Sequence, residues 1–444
     1  MVGRELKRVA VLGGSRIPFC RSHTAYAELS NLDMLIQALG GLVDRFSLQG
    51  VHIDEVVGGA VVTHAKDWNL AREAVIGSEL APTTPGITMM QACGTSLQAA
   101  LQIGAKIATG QIECGISLGS DTTSDAPIVF QRAFAKRLVA MSRAKSFGGK
   151  LAAFKGMSPA ELAPVPPNTG EPRTGLSMGE HCELMAKEWG ITREAQDLLA
   201  YESHSKAAAA YDEGFMDDLV VPCAGVFRDN NIRGEISLEK MAELKPVFDR
   251  SGKGTITAAN STPLTDGAST VLLASEDWAE KRHIPVQAYL TFGRTAAVDY
   301  VAGEGLLMAP VFAVNELLKQ SGLALQDFDY YEIHEAFAAQ VLASLKAWAS
   351  EEFCRTRLGR DKALGEIDRS KLNVKGSSIA IGHPFAATGA RIIPVLAKLL
   401  QGKRGGRGLI SVCTAGGMGV AAILEGVATQ PAPSAAAASG MGAS

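Results

Sequence analysis

The stretch GITMMQACGTSLQAALQIGAKIATGQIECGISL, residues 86–118, decides the fold class. It contains a short apolar run ending at Met90, a helical pattern of small residues from Thr95 to Ala108, and a second apolar run, Ile112–Leu118. Apolar runs of this length on either side of a helix are typical of buried strands in a layered α/β domain. The stretch therefore predicts a strand–helix–strand unit within a largely parallel sheet.

The same alternation of strands and helices extends in both directions from this unit. The other predicted strands are Arg8–Leu12, Glu55–Val62, Gly254–Thr257, Ser269–Ala274, Val286–Phe292, Phe328–Ile333, Leu409–Cys413 and Val420–Leu424. Between about Asp125 and Asp249 there is little strand signal, and two long helical patterns cover 178–189 and 192–213. We therefore expect an α/β protein that is interrupted by a mostly helical insertion.

Composition and charge exclude several function classes. The chain has 444 residues, of which 47% are hydrophobic and 20% charged, so disorder is not its main state. A net charge of -3 provides no basic field for nucleic-acid binding. The seven cysteines form no C-x-x-C pair, which argues against a zinc ribbon or a disulfide framework. Because the sequence shows neither a long apolar run nor a signal-peptide pattern, we expect a cytoplasmic protein without a transmembrane helix.

Cys93 lies at the predicted junction between a strand and a helix, among Gly94, Thr95 and Ser96. The unpaired N–H groups and partial positive charge of a helix N-terminus lower the pKa of a thiol, and they can also bind an oxyanion. This setting predicts a reactive thiolate at Cys93. Taken alone, without the other motifs, the residue is better interpreted as a buried structural cysteine.

Three further residues lie at the ends of predicted elements, two of them close to glycines. His383 lies in the loop IGHPFAATG, residues 381–389, and Cys413 ends a predicted strand in SVCTAGGMG, residues 411–419. The second motif is not a dinucleotide fingerprint, because a strand rather than a helix follows it. His334 begins the run HEAFAAQ after another predicted strand. Each could separately be a turn or packing residue, but two thiols and two histidines at such positions together predict a catalytic site.

A weak internal repeat relates two of these motifs. Met89–Cys93 precedes a small-residue helix, and Tyr331–Glu335 precedes the helical pattern 336–349. In both, a strand delivers a reactive side chain to the start of a helix. Two stacked α/β halves that face one another would bring those ends together.

These four motifs, in this order, resemble those of the thiolases, the acetyl-CoA C-acyltransferases. The resemblance extends from Val9 to Gly426 and includes the N-terminal element RIPF, residues 16–19. Three motifs are similar to the β-subunit type of fatty-acid oxidation (trifunctional) complexes: HEAF at 334–337, PVPP at 164–167 and TGLSMGE at 174–180. Phe385-Ala386-Ala387 replaces the commoner small-Gly-Ala of the family, a departure that bears on chain-length preference.

The resemblance implies the thiolase fold, in which two similar layered α/β halves pack together as α-β-α-β-α with a helical loop-domain insertion. Carried onto this sequence, 1–124 plus 251–278 form the N-terminal half, and 125–250 form the loop domain. Residues 279–428 form the C-terminal half, and 429–444 form a disordered tail rich in Ala, Ser, Gly and Pro.

The resemblance also implies a reaction, in which a 3-ketoacyl-CoA and CoA give an acyl-CoA and acetyl-CoA. Cleavage between the α and β carbons requires a nucleophile at the ketone, which would be Cys93 with His383 as its base. Cys413 would protonate the departing acetyl-CoA carbanion. One oxyanion hole would use His383 and a water held by His334, and the second would use the backbone N–H groups of Cys93 and Ala415.

Coenzyme A is thereby implied as a substrate, with no cofactor and no metal. By position in the family, Met178 would pack on the pantetheine, Thr262 would hydrogen-bond to it, and Arg233 would lie near the adenosine. Each could instead be a core, turn or solvated surface residue. The implied partners are a second copy or three further copies of the chain, as a homodimer or homotetramer, and a hydratase/dehydrogenase α-subunit.

Residues 126–160 contain seven Lys or Arg and no Asp or Glu, interleaved with Phe, Leu and Met. A basic amphipathic stretch of this kind can bind peripherally to an anionic membrane surface or dock on a partner. Alternatively, it is a solvated helix that covers the acyl tunnel and attracts CoA phosphates. The sequence leaves both interpretations open.

Two other functions remain alternatives to 3-ketoacyl-CoA thiolysis in fatty-acid β-oxidation. One is acetoacetyl-CoA thiolase activity, which condenses two acetyl-CoA with the same residues; the other is a non-catalytic acyl-CoA-binding scaffold. The long loop domain and His334 favour degradation of longer chains. A scaffold would be expected to lack one of the four reactive residues, and a ketoacyl carrier-protein synthase would be expected to have a histidine at the position of Cys413.

Overall fold

The structure is a computed structural model that describes residues 6–428. Its strands are β1 (Val9–Arg16), β2 (Cys20–Arg21), β3 (Glu55–Gly59), β4 (Gly86–Thr88), β5 (Cys114–Asp121), β6 (Val129–Phe130), β7 (Pro164–Val165), β8 (Thr265–Ser275), β9 (Ala288–Ala297), β10 (Tyr330–Ile333), β11 (Arg407–Thr414) and β12 (Met418–Gly426). Its helices are α1 (Asn31–Phe46), α2 (Leu70–Ile76), α3 (Thr95–Ala108), α4 (Arg132–Arg143), α5 (Phe147–Ala152), α6 (Met178–Glu188), α7 (Arg193–Asp212), α8 (Leu238–Ala242), α9 (Glu276–Lys281), α10 (Ala309–Ser321), α11 (Ala338–Ala349), α12 (Glu351–Thr356), α13 (Ser378–Ile381) and α14 (Thr388–Gln401). The predicted disordered tail, 429–444, lies outside the described residues.

Ten strands form a mixed sheet in the order β10-β11-β12-β9-β1-β8-β5-β3-β4, with β2 paired to β8 beside this path. The pairs β3–β4, β3–β5 and β10–β11 are parallel, whereas β1, β8, β9 and β12 make antiparallel pairs. The prediction of a largely parallel sheet is therefore wrong. The turn at Gly416-Gly417 is too short for a crossover, so β11 and β12 form an antiparallel hairpin. Strands buried on both faces show the same continuous apolar runs in either orientation, which is why the pattern did not reveal the direction.

The strand order repeats within the sheet. Starting from β1, the path β1-β8-β5-β3 has two antiparallel pairs followed by a parallel pair, and β9-β12-β11-β10 has the same succession. Helix α3 leads directly into β5, and α14 leads directly into β11. The counterpart of α3 is therefore α14, and not the helical pattern 336–349 that the sequence repeat suggested. That repeat compared β4 with β10, although the position of β10 in the sheet corresponds to that of β3.

Helices α3 and α14 occupy the centre of the molecule. Leu97 of α3 and Leu396 of α14 are fully buried in one hydrophobic core with Val271 of β8 and Val412 of β11. Gly389 permits this close packing, because a Cβ at that position would lie 2.2 Å from the backbone N of Leu97. A second core contains α1 and α2, and a third contains α10 and α11. The central helix pair thus places the N-termini of α3 and α14 side by side.

The regular elements between β5 and β8 are mainly helices, α4 to α8, as predicted from the composition of this segment. The strand predicted at Gly254–Thr257 is wrong, because side chains bind its backbone donors. The Glu183 carboxylate accepts from the N–H groups of Thr255 and Ile256 at 2.8 and 2.9 Å, and Asn260 accepts from that of Thr257 at 2.8 Å. The domain boundaries given above stay a prediction.

The basic stretch 126–160 forms β6, α4 and α5, and neither of these helices has a buried residue. Several apolar side chains point to solvent, with Phe130 59%, Phe147 77% and Leu151 61% exposed. Its Arg137 forms a salt bridge with Glu161, directly beyond the stretch. Docking through this surface stays a prediction. Within residues 6–428, no helix is both long enough and apolar enough to cross a bilayer.

Candidate active site

Cys93 lies in a strained turn between β4 and α3. The preceding residue, Ala92, has φ of 45°, in the left-handed region that non-glycine residues rarely adopt. The Thr95 hydroxyl holds this turn, because it donates to the carbonyl of Ala92 at 2.7 Å and accepts from the N–H of Gln91 at 2.8 Å. Such backbone conformations typically cost about 1–3 kcal/mol and persist where the surroundings fix them. The turn presents the thiol at the start of α3.

Close packing brings this turn against the two C-terminal loops of the site. A Cβ at Gly94 would lie 2.9 Å from Cγ2 of Thr414, the residue after Cys413. The Ser96 hydroxyl donates to the carbonyl of Ala386 at 2.5 Å and accepts from the N–H of Ala390 at 2.9 Å. The start of α3 is therefore fixed both to the β11–β12 hairpin and to the loop after His383.

The structure brings the four predicted catalytic side chains together. Sγ of Cys93 and one ring nitrogen each of His334 and His383 lie within 4.8 Å of one another. The two histidine ring centroids are 4.1 Å apart, and both Nε2 atoms are buried without a hydrogen-bond partner among the described residues. Cys413 is 1% exposed and close enough that a charge on Cys93 raises its pKa. The unpartnered nitrogens are available to a substrate.

Both histidines are neutral at physiological pH. Burial, followed by the charge of Arg391, lowers the pKa of His383 to about 3. Burial, His383 and Arg391 together lower the pKa of His334 well below its usual range. In each ring Nδ1 is already engaged: that of His383 lies 2.5 Å from Oγ1 of Thr388, and that of His334 lies 2.8 Å from Oγ of Ser378. Each imidazole therefore has a fixed orientation.

The structure corrects the prediction of a resting thiolate at Cys93. Burial raises the pKa of this thiol to about 12, although the nearby backbone N–H groups of Ala415 and of Cys93 itself lower it. Cys93 is only 7% exposed. Desolvation of its sulfur therefore raises the pKa by more than the helix N-terminus lowers it. The same two N–H groups are those predicted to form the second oxyanion hole.

The alkylation rate of Cys93 is expected to rise about tenfold per pH unit from pH 7 to 9, without a plateau. With a pKa near 12, the thiolate is a minor form whose fraction increases tenfold per unit in this range. His383, with a pKa of about 3, stays neutral and adds no inflection. The measurement is the rate of iodoacetamide labelling of the Cys93 peptide, with Cys93→Ala as the blank. A plateau near neutral pH would instead indicate a thiolate–imidazolium pair in the free protein.

Asp121 is a buried residue of the site that sequence analysis missed. Its carboxylate accepts from the N–H groups of residues 61 and 62 and from that of Ala386, at 2.7 to 3.1 Å. Burial raises its pKa to about 7, although these donors lower it. Asp121 thereby links the end of β3 to the loop after His383. The signal in the sequence was an acid three residues after the apolar run Ile112–Leu118.

Glu171 was missed as well. It is 8% exposed, and its carboxylate accepts from the N–H of Gly416 at 2.9 Å, next to Ala415. An acid from the helical insertion thus holds the turn that carries one predicted oxyanion-hole donor. Glu171 lies between the PVPP and TGLSMGE motifs and belongs to neither, so no recognised motif included it.

The predicted CoA contacts lie in different environments. Met178 begins α6 and packs, partly buried, against the core around α11. Thr262 is partly buried, and its hydroxyl donates to the carbonyl of Ser378 at 2.8 Å, beside the His334 pocket. Arg233 is exposed, and its backbone N–H donates to Nδ1 of His204. The roles of all three stay predictions.

The fold also groups side chains of the types that bind zinc. Cys93, His334 and His383 offer one sulfur and two nitrogen ligands, the donors that zinc prefers. They lie 49 to 290 positions apart, in no zinc-type spacing, so no sequence motif predicted this grouping. The expectation that the reaction needs no metal stays a prediction.

Comparison with known proteins agrees with this geometry. Residues 9–277 match the family model for the thiolase N-terminal domain, and residues 285–426 match that for the thiolase C-terminal domain. The chain belongs to the thiolase family. A relative from Shewanella amazonensis, named 3-ketoacyl-CoA thiolase, is 44% identical over 425 residues, which cover 94% of this chain and 97% of the relative. A thiolase of the same name from Alteromonas mediterranea is 42% identical over 428 residues, covering 95% and 98% of the two chains.

Solved thiolase structures confirm the predicted fold class. The crystal structure of a Bacillus anthracis acetyl-CoA acetyltransferase has a TM-score of 0.80 at 27% identity and covers 96% of this chain and 100% of its own. That of an Ascaris suum thiolase in complex with coenzyme A has a TM-score of 0.77 at 28% identity and covers 95% and 100%. The α/β thiolase fold and the assignment as an acyltransferase enzyme are therefore confirmed.

Proposed function

We propose that this thiolase cleaves 3-ketoacyl-CoA with CoA through an acyl-cysteine at Cys93, in fatty-acid β-oxidation. The observation that carries the proposal is the buried cluster in which the Cys93 sulfur lies within 4.8 Å of ring nitrogens of both His334 and His383. A nucleophile, a neutral base and a second thiol are the groups that this cleavage requires. The match to relatives named 3-ketoacyl-CoA thiolase supports the same substrate class.

The first step forms a bond between the Cys93 sulfur and the ketone carbon. The thiol proton passes to Nε2 of His383, and the two charges form together at short distance, where they attract each other. The ketone oxygen gains negative charge next to the sulfur, where the backbone N–H groups of Cys93 and Ala415 would stabilise it; both groups are near enough to lower the pKa of the Cys93 thiol. Removing one such donor typically costs about 2.7–4 kcal/mol in the barrier.

The second step breaks the bond between the α and β carbons. The oxyanion collapses to the acyl thioester on Cys93, and the bonding pair leaves with acetyl-CoA as an enolate. Charge on the enolate oxygen is stabilised by the His383 imidazolium and by a water held by His334. Cys413 gives its proton to the enolate carbon. Burial raises the pKa of the Cys413 thiol well above its usual value, so the thiol is protonated before this step.

The third step transfers the acyl group to CoA. The Cys413 thiolate takes the proton of the CoA thiol, and the CoA sulfur attacks the acyl carbonyl. Cys93 leaves as a thiolate and recovers its proton from His383. All groups return to their starting protonation states, so the cycle is balanced with CoA as the second substrate and without a redox step.

The proposal includes ligands and assembly. CoA and acyl-CoA are the ligands, with Met178 and Thr262 along the pantetheine and Arg233 near the adenosine. We place the protein in the cytoplasm as a homodimer or homotetramer with a hydratase/dehydrogenase α-subunit as partner. The exposed apolar side chains of α4 and α5, among seven Lys or Arg, favour a peripheral surface contact through 126–160. Co-sedimentation with anionic vesicles, at low and high salt, would test this contact.

The test is CoA-dependent thiolysis over a 3-ketoacyl-CoA series from acetoacetyl-CoA to long chains, with Cys93→Ala as the blank. Activity that increases with chain length and is absent in the blank is the expected result. Activity confined to acetoacetyl-CoA would identify the short-chain condensing function instead. Absence of turnover on every substrate would contradict both and leave the acyl-CoA-binding scaffold.

A further inference from the structure

We propose that Ser378 and Arg391 are positioning residues that fix the ring proton of His334 on Nε2. His334 then presents a hydrogen-bond donor to the reacting centre, while His383 presents an acceptor. The inference rests on the proposed function for its catalytic meaning, but the location of the proton is a property of the free protein. It explains why two neighbouring imidazoles can have opposite roles.

The Arg391 side chain, which lies behind His334, can only donate hydrogen bonds. Arg391, 2% exposed, places Nη2 3.1 Å from Oγ of Ser378 and 3.3 Å from Oγ of Ser377. A guanidinium has no acceptor atom, so Arg391 donates in both contacts. Arg391 thus uses one of the two lone pairs of the Ser378 oxygen, and among the described residues the acceptor within hydrogen-bond distance of the Ser378 O–H is Nδ1 of His334.

The hydroxyl of Ser378 has a clear target. Nδ1 of His334 lies 2.8 Å from this oxygen, and a neutral imidazole has one donor nitrogen and one acceptor nitrogen. When Ser378 donates to Nδ1, the ring proton must be on Nε2. That atom is buried and has no partner among residues 6–428, and it belongs to the ring that meets His383 at 4.1 Å between centroids.

The chemistry of the site needs this arrangement. A donor at Nε2 of His334 binds a water through the water oxygen, which leaves both water hydrogens free to stabilise the enolate oxygen. At His383 the opposite tautomer is required, because Nε2 must accept the Cys93 proton. There Nδ1 lies 2.5 Å from the hydroxyl of Thr388, which can accept the Nδ1 proton. The two rings therefore carry their proton on different nitrogens, because the hydroxyl beside Nδ1 donates to His334 but accepts from His383.

The charge of Arg391 supports the same arrangement. The charges of the buried acids Glu332 and Glu335 raise the pKa of Arg391, and Arg391 in turn lowers the pKa of both histidines. Burial lowers the pKa of Arg391 to about 10, so it stays charged at neutral pH. A fixed positive charge behind the rings opposes protonation of His334, which keeps it a neutral ring with a single mobile proton.

The test is the tautomer of each ring in the wild-type protein, read from long-range proton–nitrogen NMR spectra of 15N-histidine-labelled protein at pH 7. His334→Asn and His383→Asn provide the assignments. We expect the proton of His334 on Nε2 and that of His383 on Nδ1. A proton on Nδ1 of His334, or an equal mixture, would overturn the inference whether or not the protein catalyses thiolysis. The tautomers themselves are read in the unmodified chain, and the two variants serve only to assign the signals.

Variants extend the test to the positioning residues. Ser378→Ala and Arg391→Met should populate both tautomers of His334, and Ser378→Ala should lower kcat about 10–100-fold with little change in KM. Ser378→Thr and Arg391→Lys, which keep a hydroxyl and a charged donor, should retain the wild-type tautomer. Ser377→Ala is the matched control and should resemble wild type. An unchanged tautomer and kcat in Ser378→Ala would contradict the inference, whereas a wild-type protein with the expected tautomers but no thiolysis would contradict only the proposed function.

Discussion

Replacement of Cys93 by alanine is expected to lower thiolysis by at least about 10,000-fold and to abolish acyl transfer between CoA molecules. Both reactions require a covalent bond between the acyl group and the sulfur, and the other three catalytic groups cannot replace a nucleophile. The histidines are neutral and serve as base and donor, and Cys413 is protonated. The readout is intact mass after mixing with an acyl-CoA in the absence of free CoA: wild type should gain one acyl group, and Cys93→Ala none.

Cys354→Ala provides the matched control for this prediction. Cys354 is also a fully buried thiol, and its sulfur contacts the carbonyls of Ala347 and Trp348 between α11 and α12. The same chemical change at that position should leave thiolysis within about threefold of wild type. An acyl adduct that persists in Cys93→Ala would assign the nucleophile to another cysteine and refute the mechanism.

The catalytic side chains could be predicted from the sequence because each follows a local pattern. Cys93, His383 and Cys413 lie at the ends of elements beside glycines, and the glycines are needed where backbones approach closely, as Gly94 does at Thr414. Because the required glycines are adjacent in sequence to the catalytic residues, a short motif is enough to predict such positions. The resemblance to thiolases depended on the same short motifs, and the family comparison confirms it.

The supporting residues could not be predicted because their contacts are remote in sequence. Asp121 binds the N–H of Ala386 over a separation of 265 residues, and Ser378 contacts His334 over 44. The raised pKa of Cys93 could likewise not be predicted, because burial of the thiol in the folded protein outweighs the local effect of the α3 N-terminus. The prediction of strand direction was wrong for a related reason, since an apolar run indicates that a strand is buried but not whether it runs parallel or antiparallel to its neighbours.

Replacement of Cys413 by alanine is expected to separate the two half-reactions. Thiolysis should fall about 10²–10⁴-fold, because the enolate carbon of acetyl-CoA loses its proton donor. Acyl transfer between an acyl-CoA and labelled CoA involves no carbanion, and His383 can carry the single proton between the two sulfurs, so this reaction should stay within about tenfold of wild type. The measurement is the rate of label incorporation beside the rate of thiolysis in the same preparation.

Cys182→Ala is the control, since Cys182 is buried and influences the pKa of Cys413 without belonging to the proposed machinery. Equal loss of both reactions in Cys413→Ala would show that acyl transfer also requires this thiol, and would contradict the assignment of proton transfer between the two sulfurs to His383.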